Sequence, residues 1–419
     1  MDARMGSFAT LSPQLRQYLL VTGNYWAFTL TDGALRMLVV LYFHDLGYSP
    51  LNIALLFLFY EFFGVITNLL GGWLGARLGL NRTMNMGLIL QVVALSMLIV
   101  PEPLLTVRWV MGAQALSGIA KDLNKMSAKS AIKLLVPGDA QGTLYKWVAI
   151  LTGSKNALKG AGFFLGGVLL TLLGFQHAVM CMASALALVW LLSVFLLKRD
   201  LGKSRNKPKF TQIFSKSRAI NYLSAARLFL FGARDVWFVV ALPVYLSNQL
   251  GWDHWTVGGF LALWIVGYGF IQTLAPLVTG KAKGRVPDGT TAFAWALGLS
   301  VIPALIAVSL HTDLRAMDLP VEIQATQILV GGLMLFGALF AINSSLHSYL
   351  IVSYANEDSV SLDVGFYYMA NALGRLLGTV LSGWLFQQYG LDVCLIISTA
   401  FVALAAAISL ALPKHRLIS

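Results

Sequence analysis

Twelve apolar runs, each long enough to cross a bilayer, leave this chain few ways to fold. A helix needs roughly 20 apolar residues to span the hydrocarbon core. Runs of that kind occupy about residues 18–43, 50–74, 84–100, 104–128, 144–173, 176–197, 219–247, 255–279, 290–310, 325–352, 364–387 and 391–412. Charged residues make up 11% of the chain, against about 25% in soluble domains. Backbone in lipid must satisfy its own hydrogen bonds, so long uninterrupted runs read as helices. The expected fold is an all-α integral membrane protein of twelve transmembrane helices. The first run, from near Tyr18, is too long for a signal-peptide core, and no small-residue cleavage site follows it. The first helix is therefore expected to act as its own targeting signal.

Most linkers are short and marked by Gly, Pro, Asn or Asp. One is different: Lys198 to Arg218 is polar, strongly basic and divides the runs six and six. The expected organisation is an N-terminal six-helix half (1–197), a basic linker (198–218) and a C-terminal six-helix half (219–419). With the N-terminus in the cytoplasm, 19 Lys and Arg fall on the cytoplasmic side, eight of them in the linker, and two, Arg108 and Arg315, on the other. That asymmetry puts both termini and the linker inside. It accounts for most of the net charge of +12 without a nucleic-acid partner. The segment 353–363, SYANEDSVSLD, is the exception, cytoplasmic by count yet acidic.

Nine cations remain within the runs: Arg36, Lys121, Lys125, Lys146, Lys155, Lys159, Arg227, Arg234 and Arg375. Four acids accompany them: Asp32, Glu61, Asp122 and Asp235. A charge at the bilayer centre costs at least ~2.5 kcal/mol, so such residues face a cavity, a partner or a ligand. Four acids neutralise four of nine cations, and an anionic ligand is the natural completion. Lys121, Lys125, Lys129 and Lys133 recur at steps of four, which keeps them on one helix face, drifting slowly round it. Lys129 and Lys133 read as surface residues that set orientation. Lys121 and Lys125 read as an anion entry path, and Lys146 as a lysine reaching to the interface. Cys181 and Cys394 lie in separate apolar runs and supply no thiolate cluster for a soft metal. No catalytic triad, metal cluster or nucleotide loop is present, so no cofactor is expected. Transport would draw on a gradient or on exchange.

The two halves echo each other. The fifth run holds Asn156-Ala157-Leu158-Lys159-Gly160 and the eleventh Asn371-Ala372-Leu373-Gly374-Arg375. The first carries Asp32 and Arg36, the seventh Arg234 and Asp235. Duplicated halves with a central site are a design of secondary transporters.

Gly72-Trp73-Leu74-Gly75-Ala76-Arg77-Leu78-Gly79-Leu80-Asn81-Arg82 resembles the G-x-L-a-D-R-x-G-x-x-R motif of the major facilitator superfamily, with Ala76 where the family carries Asp. Gly162-Phe163-Phe164-Leu165-Gly166-Gly167 resembles the G-P-x-x-G-G of its exporters, with Phe for Pro. The resemblance implies two pseudo-symmetric six-helix halves, the major facilitator fold, with Gly72, Arg77, Gly79 and Arg82 in a gating motif. Four stretches, VTGNYWAFTLTDGALRML, LSGIAKDLNKMSAKSAIKLLVP, ILTGSKNALKG and FLFGARDVWFVVALPVYL, are similar to the organoarsenical efflux permeases of arsenic-resistance operons, the ArsJ type. That likeness implies export of 1-arseno-3-phosphoglycerate from a bacterial cell across its inner membrane. A functional partner, a glyceraldehyde-3-phosphate dehydrogenase, would make the ester. The residues alone indicate a small, multiply charged oxyanion, and a transporter or exchanger of another organophosphate or inorganic anion stays open.

Members that carry organic phosphates place one arginine from each of the first and seventh helices at a central site, and the resemblance assigns that place to Arg36 and Arg234. A guanidinium fork fits a tetrahedral oxyanion. Lys121, Lys125, Lys155 and Lys159, with Arg375 from the repeat, complete the expected substrate-binding set. Asp32, Asp122 and Asp235 either neutralise these cations or carry protons in an antiport cycle. The same cations serve equally well in structural ion pairs. Asn24, Tyr25, Asn68, Asn124, Asn156, Asn343, His347, Tyr367 and Asn371 are candidates for neutral hydrogen bonds. The expected mechanism is alternating access.

Overall fold

A computed structural model describes residues 12–48, 56–137, 140–197, 201–203, 217–252, 254–279, 286–311 and 325–414. Every regular element among them is helical. In chain order these are α1 (Pro13–Asp45), α2 (Leu58–Leu78), α3 (Leu80–Met97), α4 (Val107–Leu135), α5 (Gln141–Leu196), α6 (Arg218–Phe238), α7 (Ala241–Asn248), α8 (His254–Thr279), α9 (Gly289–His311), α10 (Ala325–Tyr354), α11 (Val360–Tyr389) and α12 (Leu391–Ser409). Within the described residues, each of the twelve expected spans falls on this series; the start of the second, 50–55, lies outside them. α5 supplies two, because Gly174 breaks it at φ 72° and ψ 173°, a left-handed conformation that glycine adopts without strain. α6 and α7 together supply the seventh. Seven stretches among the described residues are long and apolar enough to cross a membrane on length and composition. Large side chains stand bare on the outside, Phe195 at 82% exposure and Phe164 at 77%. Such a surface belongs in lipid.

The chain folds as two compact units, Met1–Lys216 with Ala355–Met369, and Ser217–Tyr354 with Ala370–Ser419. In the first, Thr106 caps α4 by accepting a hydrogen bond from the Trp109 amide at 3.3 Å. α1 and α5 meet at glycines. A Cβ on Gly162 would lie 2.6 Å from the Leu30 carbonyl oxygen, and one on Gly33 2.8 Å from that of Lys159. The second unit repeats the device between α6 and α11. There Gly374 lies against the Leu228 carbonyl, and a Cβ on Gly378 would stand 2.7 Å from that of Gly232. The echo between NALKG and NALGR therefore marks equivalent helix contacts, where small residues let backbones approach. The core of the second unit is aromatic, with Trp237, Trp264, Tyr268, Phe336 and Phe340 packed together and the Trp264 indole donating to the Leu333 carbonyl at 2.9 Å.

The acidic segment 353–363 has a physical reason for its charge. From Ala355 on it belongs to the first unit, where Leu362 covers Ala76 and Gly72 packs against Ser361 and Gly365. Glu357 is close enough to Lys133 to interact electrostatically. Glu357 thus answers the basic end of α4. Of the basic linker, only 201–203 and 217–218 lie within the described residues. Lys281, Lys283, Arg285 and Arg315 lie outside them, as does the side chain of Glu61.

Candidate functional site

In the first unit the cations gather on two tyrosine rings. Tyr60 of α2 is 2% exposed, and its hydroxyl donates to both oxygens of Asp32, at 2.7 and 2.9 Å. Lys121 Nζ lies 3.7 Å from the centre of that ring and the Arg36 guanidinium carbon 4.7 Å. Arg36 also lies 5.0 Å from the Phe57 ring. The ring face is the negative part of an aromatic quadrupole, worth up to about 2 kcal/mol to a desolvated cation. Tyr60 thus holds two cations on its ring and one carboxylate on its hydroxyl.

One turn further along α4, Lys125 Nζ bonds Asp122 Oδ1 at 2.6 Å, and Asp122 is 1% exposed. The other carboxylate oxygen, Oδ2, is buried with no hydrogen bond among the described groups. Gly64 makes room for it, since a Cβ there would lie 3.1 Å from Oδ2. Lys125 and Lys129 both approach the Tyr368 ring, at 4.4 and 5.4 Å. Lys129 is buried at 3% exposure, not on the surface as its place in the lysine series suggests. Tyr25, Lys125, Lys129, Leu151, Thr152, Lys155 and Tyr368 line a small cleft. Lys155 enters it from α5. Lys159, one turn on, stands 5.8 Å from the Phe163 ring.

The second unit builds a comparable cluster around Asp235, which is fully buried. Arg234 Nε donates to Oδ1 at 2.6 Å, with a second contact from its Nη2. Arg375 Nε donates to Oδ2 at 3.1 Å. Arg234 sits among Phe231, Phe340 and Phe238, with ring centres at 5.1, 5.5 and 5.9 Å. Arg227 stacks on the same Phe231 at 3.8 Å and donates to Asn371 Oδ1 at 2.9 Å and to the Ser344 carbonyl at 3.2 Å. Phe231 thus carries two cations, as Tyr60 and Tyr368 each do in the first unit. Phe231 was legible as a partner, lying four residues from Arg227 and three from Arg234. Tyr60 was not, since nothing in sequence ties it to Asp32.

The stretch from Gly72 to Arg82 is tightly packed at its glycines and exposed at its arginines. A Cβ on Gly72 would lie 2.5 Å from the Ser361 carbonyl. Gly79 takes φ 99° at the break between α2 and α3. Arg77 and Arg82 are exposed, Arg77 with its guanidinium 5.1 Å from Trp73. Ala76 is 1% exposed against Leu362, where an aspartate would bury its charge on an apolar contact. Several polar residues of the helices serve packing. Asn24 donates to Ser193 Oγ at 2.8 Å, Asn124 to the Ala120 carbonyl at 2.9 Å and Asn343 to the Trp295 carbonyl at 3.0 Å. His347 is fully buried, with neither ring nitrogen hydrogen-bonded among the described groups.

A multi-pass membrane protein that keeps cations inside its helices, against aromatic faces, has the constitution of a solute transporter. The chain belongs to the Major Facilitator Superfamily, whose family model matches residues 21–319. Similar solved structures are transporters of that fold. The human organic anion transporter MFSD10 (TETRAN) is 15% identical with a TM-score of 0.71, over 95% of this chain and 100% of that one. A bacterial homologue of the iron transporter ferroportin, outward-facing with soaked iron, is 16% identical with a TM-score of 0.72, over 96% and 99%. The E. coli fucose:proton symporter FucP is 13% identical with a TM-score of 0.70, over 94% and 98%. At these identities the likeness is one of fold. No curated protein matches the chain.

Proposed function

We propose that this protein is a secondary exporter of a small organic oxyanion, working by alternating access. The observation that carries the reading is Asp235, a single buried carboxylate that receives two guanidiniums, from Arg234 and Arg375. The carboxylate fixes two guanidinium forks side by side, that of Arg375 39% exposed and so open to a solute, and such forks fit a tetrahedral oxyanion. Arg36, Lys121, Lys125, Lys155 and Lys159 supply the cations of the first unit. Asp122 holds Lys125, Asp235 holds Arg234 and Arg375, and Asp32 takes the hydroxyl of the Tyr60 ring that carries Arg36 and Lys121. A similar fold in a transporter of organic anions agrees with this class.

Within the class, the ArsJ-type resemblance favours 1-arseno-3-phosphoglycerate, made by a glyceraldehyde-3-phosphate dehydrogenase, with arsenate resistance as the outcome. The basic segments favour cytoplasmic termini, and the same resemblance favours a bacterial inner membrane. The residue boundaries 1–197, 198–218 and 219–419 describe two halves and their linker. Everted vesicles carrying the protein should accumulate the arsenate ester and exclude free arsenate. Equal uptake of both would remove the ester specificity. Uptake of phosphate esters alone would favour the second reading, an organophosphate exchanger, because guanidinium and ammonium groups fit any tetrahedral oxyanion.

A further inference from the structure

We infer that an outward groove of the first unit, between the first turns of α1 and the last turns of α5, holds one membrane phospholipid, with an acyl chain in the groove and the headgroup phosphate on Arg16. The site lies apart from the cation clusters and does not depend on which solute is carried. Leu19, Leu20 and Gly23 of α1 and Leu192 and Leu196 of α5 line a space of ≈ 220 Å³. An apolar cavity of about 150 Å³ is enough to take benzene, so this groove has room for a stretch of hydrocarbon chain. It opens outward, with Leu19 40% exposed and Leu192 and Leu196 52% each.

Gly23 is exposed, and a Cβ there would meet nothing within 4 Å. Gly33 and Gly162 each admit a neighbouring backbone, whereas Gly23 admits none. Glycine inside a helix costs stability relative to alanine, and what it provides here is the open space itself. Hydrogen bonds fix the two walls at both ends. Deeper in the helices, Asn24 Nδ2 donates to Ser193 Oγ at 2.8 Å, and Ser193 donates in turn to Asn85 Oδ1. Nearer the helix ends, Gln17 Nε2 donates to the Leu196 carbonyl at 3.2 Å. The polar groups of the lining are thus engaged with one another, and the surface left over suits hydrocarbon and not a polar solute.

The charge lies at the end of the groove. Arg16 is exposed and sits one turn before Leu19 and Leu20, on the helical stripe that continues to Gly23. At the same level the Tyr18 ring stacks on Trp147 at 4.1 Å, an aromatic pair of the kind found at a membrane–water interface. A chain lying in the groove therefore brings its phosphate to a guanidinium fork. Lipid tails are as apolar as leucine, so groove shape and headgroup charge select the lipid that stays.

The test uses the full chain in a neutral detergent, titrated with phosphatidylglycerol and read by native mass spectrometry. One phosphatidylglycerol per chain is expected to survive release from the micelle. Gly23→Leu fills the groove from α1 and should lose that lipid. Leu192→Trp fills it from α5 and should lose it too. Gly383→Leu, at a glycine of α11 whose Cβ would also meet nothing within 4 Å, should keep it. Arg16→Gln should weaken phosphatidylglycerol binding by ~5-fold. The same number of lipids on the parent, Gly23→Leu and Leu192→Trp overturns the site, and unchanged binding in Arg16→Gln overturns the headgroup contact. An equal loss in Gly383→Leu means annular lipid only and overturns the site as well. So does a parent dimer that Gly23→Leu converts to monomer, which gives the groove to a second copy of this chain.

Discussion

Asp235→Asn tests the charge balance of the second unit most directly. Asp235 is fully buried, and its two guanidinium partners differ in their access to water. The Arg234 side chain is 14% exposed among three phenylalanines, and that of Arg375 is 39% exposed. Removing the carboxylate leaves Arg234 with its charge in an apolar setting, and breaking a buried pair from one side costs about 3–5 kcal/mol. Arg375 can turn to solvent, so Arg375→Gln alone should stay within about 1 kcal/mol of the parent. The paired change Asp235→Asn with Arg234→Gln removes the stranded charge and should recover most of the loss. Denaturant unfolding in detergent, followed by helical circular dichroism, gives the ranking. The parent and Arg375→Gln should be most stable, the double variant intermediate and Asp235→Asn least. An Asp235→Asn protein as stable as the parent, or a double variant no better than the single, would refute the reasoning.

Two further expectations concern the first unit. Tyr60→Phe keeps the ring under Arg36 and Lys121 but deletes the donor to Asp32, and should cost about 1.5–3 kcal/mol in the same unfolding assay. Tyr60→Leu deletes the ring as well and should cost more. Gly162→Val forces a side chain into the Leu30 carbonyl and should cost about 1–3 kcal/mol or more, read as loss of monodisperse protein on size exclusion. Gly167→Ala, whose Cβ would meet nothing nearer than Leu41 at 3.9 Å, should leave the elution profile unchanged.

The helices were legible because apolar runs of membrane length have few alternatives, and within the described residues all twelve runs lie on helices. The break at Gly174 was legible too, as a gap between two runs. What escaped the sequence was rotation. A step of four residues overshoots a helical turn by roughly 40°, so the lysine series on α4 does not stay on one face. Lys121 reaches Tyr60 of α2, while Lys125 and Lys129 reach Tyr368 of α11. A count of charges on each side of the membrane placed Lys129 at the surface, because such a count carries no azimuth. Tyr25, Thr152 and Tyr368 carry no charge and no motif, and only the fold brings them beside the lysines.

The glycine contacts between α1 and α5 have a mechanical consequence. With backbone against backbone at Gly33 and Gly162, and Gly166 against Ala34, no side chain lies between the two helices there to act as a cushion. Tyr25 rides on one of them, and Thr152 and Lys155 on the other. That side of the cleft is a fixed jaw. Any change in its width is left to α4 and α11, the helices that carry Lys125, Lys129 and Tyr368.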